Sequence, residues 1–429
     1  MRNAITIPEI ILDGCTKGIP GKVSPFPIGA VAEHGWNVLK GDLPLPCAVL
    51  RKSALDRNRM WMKRFLEREN AVLCPHGKTT MSPELFALQF EDGAWGLTAA
   101  TVQQIHTYRK FGVQRILHAN QLVGKAEIEY VLGELKQDPG FDFYTLVDSP
   151  ALVKILSEHA DLMQTDLQVL IEVGQPRARS GIRNAEQATA LCDAIAASPR
   201  IKLRGIETYE GIIQGANDKE IEAHIEALYS MLGTVASLAQ SRGLFEHGPV
   251  ILSGGGSAYY DMAACGIAAV PLATERLHVI RSGCYLTHDS KWLDDYFQRM
   301  CIRAEGFKDY SNPPEEAIEV WAYIHSIPEP GRGFATVGKR DVSYDLHLPV
   351  LKKWFRPGKQ IQPQDLTNHK IVALNDQHAY IDMPQDSPLA VGDMVAMGIS
   401  HPCTTFDKWR FMPVVNDDYT VISGISTWF

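Results

Sequence analysis

The stretch Val72 to Met81, VLCPHGKTTM, places one amine, Lys78, just past an apolar run that ends at Pro75. His76 lies two residues before it, and Ser82-Pro83-Glu84 opens a helix after it. A lysine at a strand end, held partly out of water, loses some of its preference for the charged form and can condense with a carbonyl compound. The alternative is an ordinary surface lysine in a loop. A second stretch, SGGGSAYYD from Ser253 to Asp261, offers backbone N–H groups uncrowded by Cβ atoms, led by Ser253, Gly255 and Gly256, as a nest for a phosphate. Its alternative is a flexible turn. RSGCYLTHD, Arg281 to Asp289, offers Gly283, Cys284 and Tyr285 to the same phosphate. A phosphate site together with an imine-forming lysine points to pyridoxal phosphate.

Three further constellations bear on that chemistry. GIETYEG puts the Tyr209 phenol at a strand end, where it could face a pyridine nitrogen or be a half-buried rim aromatic. EVGQPRARSGIR offers Glu172, Arg177, Arg179 and Arg183 to a substrate carboxylate or the cofactor's 3-oxygen; Arg179, between the strand end and Gly181, is the one selected, the others reading as solvated arginines. GISHPCTTFDKW sets His401 and Cys403 two apart, which in an extended segment puts both on one face within reach of a tetrahedral zinc ion. Two ligands make a short motif, and a structural pair is the alternative. His378, in LNDQHAY, is an available third participant as ligand or as a base behind the ligands.

These residues need a scaffold that brings strand ends together. β-rich runs recur at 71–73, 95–98, 115–118, 143–147, 168–173, 203–208, 250–252 and 278–281, separated by stretches such as PELFALQFEDGA with apolar residues every three or four positions. Eight β/α units in roughly 230 residues suit a closed (β/α)8 TIM barrel, with an open doubly wound sheet as the alternative. The barrel is expected over residues 46–290. After Arg281 the texture changes to alternating segments such as EVWAYIHSI and DMVAMGIS, so residues 291–429 read as a mainly-β domain joined by the N-terminal segment 1–45.

Composition excludes other classes. With 429 residues the chain exceeds one core, and 45% hydrophobic and 21% charged residues are those of a folded protein. The net charge of −8 argues against a nucleic-acid partner. No run of about 18 uncharged apolar residues marks a membrane span. The start, MRNAITIPEIILDG, supports neither signal nor transit peptide, and the eight cysteines show no paired spacing, so reduced thiols and a cytoplasmic location are expected.

In order along the chain, PHGKTTM, TYEG, SGGGSAYYD with RSGCY, and SHPC resemble the D-serine dehydratase and D-threonine aldolase family of fold-type III pyridoxal phosphate enzymes, most closely its D-serine deaminase-like subgroup. The resemblance covers nearly the whole chain. It implies an alanine-racemase-like barrel, an imine on Lys78, Tyr209 near the pyridine ring, phosphate contacts at Gly255, Gly256, Gly283 and Cys284, and zinc on His401 and Cys403. Aldolases of the group tend to carry aspartate at the second metal position, so Cys403 tilts the resemblance toward a dehydratase that turns a D-β-hydroxy amino acid into a 2-oxo acid and ammonia. The chain departs from the pattern at DQHA, where relatives carry an acidic-acidic-His-Gly sequence, and at HGKTT, where many dehydratases are bulkier and more basic. Retro-aldol cleavage, racemisation and a non-catalytic pyridoxal phosphate carrier are the rival activities. A small-molecule substrate and a head-to-tail homodimer complete the expectation.

Overall fold

The computed structural model describes residues 5–303 and 312–429, which divide into two compact units. One consists mainly of Lys63–Lys78 and Gln89–Gly283, the other of Thr6–Met62, Thr79–Leu88 and Cys284–Phe429.

The first unit holds eight parallel strands: Val72–Leu73, Leu97–Ala99, Arg115–Gln121, Asp142–Val147, Leu167–Val173, Ile201–Thr208, Val250–Gly254 and Arg276–Ile280. From Leu97–Ala99 onward each pairs with its sequence neighbour, and the last pairs with the first through Val279↔Val72. Closure follows from a parallel bridge between His76 and Thr98, backed by the Thr98 N–H donating to the Pro75 carbonyl at 2.8 Å. The sheet is therefore the expected closed barrel and not an open one. Local chemistry fixes where the intervening helices begin. Thr101, Ser149, Asn184 and Asn217 sit in extended conformation and accept hydrogen bonds from the N–H groups of Gln104, Leu152, Gln187 and Glu220, satisfying donors that a helix start leaves open. Inside, Cys74, Leu117, Tyr144, Leu146, Leu170, Ile251 and Val279 form one buried cluster. At Gly205 a Cβ would lie 1.8 Å from the Ile251 carbonyl oxygen, so only glycine lets these neighbouring strands meet.

The second unit is built on a sheet with Ile318–Glu329 at its centre, antiparallel to Met394–Gly398 and to Cys47–Arg51. Cys47–Arg51 also runs parallel to Phe411–Val415, which pairs with Val421–Ser426. This differs from the sequence expectation, which places residues from 46 onward with the barrel. An isolated apolar strand followed by a helix looks like a β/α unit, and only the pairing of Leu50 with Ile318 assigns it to this sheet. Among the described residues no helix is long and apolar enough to cross a membrane.

Candidate active site and metal centre

In the barrel unit the backbone beyond Leu73 continues to His76, whose N–H donates to the Arg281 carbonyl at 3.3 Å, and then turns through the 3-10 segment Gly77–Thr79. Lys78 thus stands past the C-terminal end of the first barrel strand, as expected. Its side chain is exposed, not partly out of water as the sequence suggests. His76 behaves differently: its Nδ1 is enclosed, and burial, aided by the charges of Lys78, Arg281 and Arg179, holds the imidazole well below its usual range and so neutral.

The tyrosine and the glycine loop interlock. Arg179 lies over the Tyr209 ring at 4.5 Å from its centroid. A Cβ on Gly256 would come within 2.5 Å of Tyr209 Cε2, and one on Gly211 within 2.5 Å of its hydroxyl, so both positions need glycine for the phenol to sit where it does. The Gly255 and Gly256 N–H groups, offered to a phosphate by the sequence reading, instead donate to Glu210 Oε2 and Oε1 at 3.0 and 2.9 Å. The Tyr229 hydroxyl donates to Oε2 as well, at 2.8 Å. Ser253 is likewise committed inward, its hydroxyl donating to the Val279 carbonyl at 3.2 Å. The correction has a simple cause: a buried carboxylate one residue after Tyr209 competes for the same donors. Glu210 stands beside Tyr209 in GIETYEG at the strand end, but nothing in that stretch says which donors it takes.

Deeper in the barrel, Arg281 and Glu207, 3% and 1% exposed, pair at 2.7 Å, and Arg281 donates to the Thr208 carbonyl at 2.7 Å. Burial nevertheless lifts Glu207 to about 8, the opposing Arg281 charge only partly offsetting it. The stretches GIETYEG and RSGCYLTHD carry both residues, but sequence reading does not pair them, since they are 74 positions apart. Glu172 accepts from Ser180 at 3.0 Å and from Gln121, while Arg183 donates to the Ser180 and Gly181 carbonyls at 2.8 and 2.6 Å. These two shape the 174–183 loop, and of the arginines in that motif it is Arg179 that faces Tyr209. Among the described residues, His76 Nδ1, Ser282 Oγ and Arg281 Nε are enclosed polar atoms with no protein hydrogen-bond partner. With Lys78, Tyr209 and Gly283 they make a polar setting that fits a planar, hydrogen-bonding cofactor such as pyridoxal phosphate.

The second unit contains the metal candidates. His401 is extended (φ −155°, ψ 120°) and caps the short helix Pro402–Phe406, so Cys403 lies in its first turn. The extended-segment argument for His401 and Cys403 is thereby corrected: Pro402 starts a helix, and the two side chains meet across its cap. Cys284 Sγ lies 3.8 Å from Cys403 Sγ, and Thr79 Oγ1 lies 3.5 Å from it. The ligand atoms of Cys284, His401 and Cys403 all lie within 4.8 Å of one another. Asp345 Oδ2 sits 2.7 Å from His401 Nδ1, which leaves Nε2 to face the sulfurs. The hydrogen bond from Cys284, with His401 and Thr79 behind it, holds Cys403 well below the thiol range against its burial. Burial opposes charge on His401, but Cys403 and Asp345 raise it to about 9. A thiolate, a second sulfur and an oriented imidazole form a donor set suited to zinc.

His378 is not in this group. Its ring stacks obliquely on His325, centroids 5.2 Å apart, beside a cavity also lined by Lys17 and Asp341. Tyr285 is buried in the 3-10 turn Cys284–Leu286.

The family model described as "Alanine racemase, N-terminal domain" matches residues 50–273, and that described as "Putative serine dehydratase domain" matches residues 317–415. The 3-hydroxy-D-aspartate aldolase of Paracoccus denitrificans (strain Pd 1222) is 23% identical over 86% of this chain and 88% of its own length. The D-threo-3-hydroxyaspartate dehydratase of Delftia sp. (strain HT23) is 27% identical over 33% of this chain and 36% of its own. Among solved structures, D-threonine aldolase from Filomicrobium marinum superposes with a TM-score of 0.73 at 21% identity, covering 92% of this chain and 97% of that one. The Delftia dehydratase does so at 0.69 and 18%, covering 91% and 99%.

Proposed function

The chain belongs to the alanine racemase N-terminal-domain family of fold-type III pyridoxal phosphate proteins, its relatives being lyases, and from that premise we propose that it is a pyridoxal-phosphate-dependent, zinc-assisted dehydratase. The substrate is a D-β-hydroxy amino acid of the D-serine type; the products are a 2-oxo acid and ammonia. The observation that carries the reading is the sulfur-rich cluster around His401 and Cys403. Hydroxide is a poor leaving group, and a soft, zinc-selecting site answers that need.

Pyridoxal phosphate held at Lys78 supplies an electron sink for charge at the substrate's Cα, and zinc held by His401 and Cys403 supplies a Lewis acid for the β-hydroxyl. Lys78 is the base that takes the Cα proton, and its exposed amine past the strand end can swing to one face of the substrate, which selects one enantiomer. Arg179 and the two facing glycines clamp Tyr209 as a rigid wall of the site. Neutral His76 adds a hydrogen-bonding group without a further positive charge beside Lys78 and Arg281. Loss of the Cα proton and the β-hydroxyl removes one water and forms the Cα–Cβ double bond. The enamine released takes up water to give the 2-oxo acid and ammonia.

One observation favours a second reading. Two relatives that each match over 86% of this chain are 3-hydroxy-D-aspartate aldolases. Retro-aldol cleavage takes its proton from the β-hydroxyl and breaks Cα–Cβ, with the same cofactor and metal. Product analysis on D-serine, D-threonine and 3-hydroxy-D-aspartate separates the two: 2-oxo acid with ammonia supports dehydration, whereas glycine with an aldehyde overturns it.

A further inference from the structure

The SHPC motif supplies two metal ligands, one fewer than zinc sites that do chemistry usually take from protein. A third sulfur or nitrogen donor stands beside them from elsewhere in the chain. Cys284 is 119 residues from Cys403 in sequence and only 5% exposed, and its sulfur lies 3.8 Å from the Cys403 sulfur. With Zn–S bonds of about 2.3 Å and tetrahedral angles, two thiolates on one zinc stand about 3.8 Å apart. A disulfide would need about 2.05 Å. His401 completes a triangle whose ligand atoms all fall within 4.8 Å of one another, and Asp345 at Nδ1 turns the remaining ring nitrogen toward it.

We propose that Cys284 is a metal ligand, so that this chain holds its ion through two thiolates and one imidazole with a single position left open. The inference rests on the metal half of the proposed function and deepens it. It also reassigns Cys284: a thiol is a weak hydrogen-bond donor and a poor partner for a phosphate, but a thiolate is a strong ligand for a soft ion. Two consequences follow from the donor set. The site selects zinc over magnesium and manganese, which prefer oxygen ligands. The one open position is where a substrate hydroxyl would enter, as in three-ligand sites generally.

The test is zinc K-edge X-ray absorption on the purified, reduced holoenzyme, with metal content measured alongside. The expected result is two sulfur scatterers at about 2.3 Å. Cys284→Ser leaves one sulfur and weakens zinc by at least about 10–100-fold, the range seen when only a ligand's orienting partner is lost. Retention of the cofactor's visible absorbance shows that the variant is folded; should it be lost, Cys284→Ala and protection of two thiols by zinc against a thiol reagent in the unsubstituted protein decide the question. A single sulfur in the unsubstituted protein, unchanged in Cys284→Ser and lost in Cys403→Ser, overturns the role of Cys284 while leaving the two-ligand site intact. Failure of the unsubstituted protein to hold zinc at all overturns the metal reading itself.

Discussion

Replacing Glu210 by glutamine probes the loop that surrounds Tyr209. The carboxylate is fully buried and accepts three hydrogen bonds, from the Tyr229 hydroxyl and from the Gly255 and Gly256 N–H groups, at 2.8, 3.0 and 2.9 Å. Glutamine keeps the shape but only one accepting oxygen. In its better orientation that oxygen serves Tyr229 and Gly255, while the amide nitrogen faces the Gly256 N–H, donor against donor. An orphaned buried donor costs about 1–3 kcal/mol, and exchanging a charged acceptor for a neutral one costs about 1 kcal/mol more over the other two bonds, so the total is about 2–4 kcal/mol. Should the loop open by itself, that energy appears in cofactor affinity, as a loss of about 30-fold or more. Should it open only with the barrel, it appears in the urea midpoint of the apoprotein. Tyr229→Phe, which removes one of the three donors, should give a smaller effect in the same measurement. Titration of apoprotein with pyridoxal phosphate, followed by visible absorbance, together with urea unfolding covers both routes. A Glu210→Gln protein matching the unsubstituted one in both would refute the claim that this carboxylate organises the loop.

Lys78→Ala should abolish the imine chromophore and lower turnover by several orders of magnitude while leaving the unfolding free energy from urea titration within about 0.5 kcal/mol, since the side chain is exposed; borohydride reduction followed by peptide mapping reads the attachment directly. Asp345→Asn should weaken zinc about 10–100-fold, because the carboxylate orients His401 through its 2.7 Å contact, and metal-buffered titration measures it. His118 gives a pH signature unconnected with activity. Burial lowers it to about 4, so the fold favours the neutral ring, and its contribution is complete above an ordinary value of about 6.5 and lost as pH falls toward 4, about 3 kcal/mol in all. His118→Gln should flatten the acid limb of stability against pH between those values; an unchanged slope in urea unfolding would count against it.

Much of the scaffold is local in origin, and so was legible. Alternation of short β-branched runs with three-and-four periodic helices specifies β/α units wherever it occurs, and the capping residues Thr101, Ser149, Asn184 and Asn217 mark helix starts within a few residues of chain. The position of Lys78 was readable for the same reason, since a strand end is a local event; His401 and Cys403 read as an extended pair, whereas the helix that starts at Pro402 brings them together by a different geometry. What followed from distant pairing was not readable. The strand Cys47–Arg51 looks like the start of a barrel until Leu50 meets Ile318. Glu210 looks like one acidic residue among many until three donors converge on it, and His378 looks available to the metal until it stacks on His325.

The sequence by itself determined that there would be eight β/α units with an amine at the end of the first strand, because hydrophobic period and turn chemistry act over a handful of neighbouring residues. Tertiary structure alone decided which buried acceptor would take the glycine N–H groups and which sulfur would stand beside Cys403. Those choices depend on distances between residues tens to more than a hundred positions apart, 119 for Cys284 and Cys403, and no short-range pattern encodes them.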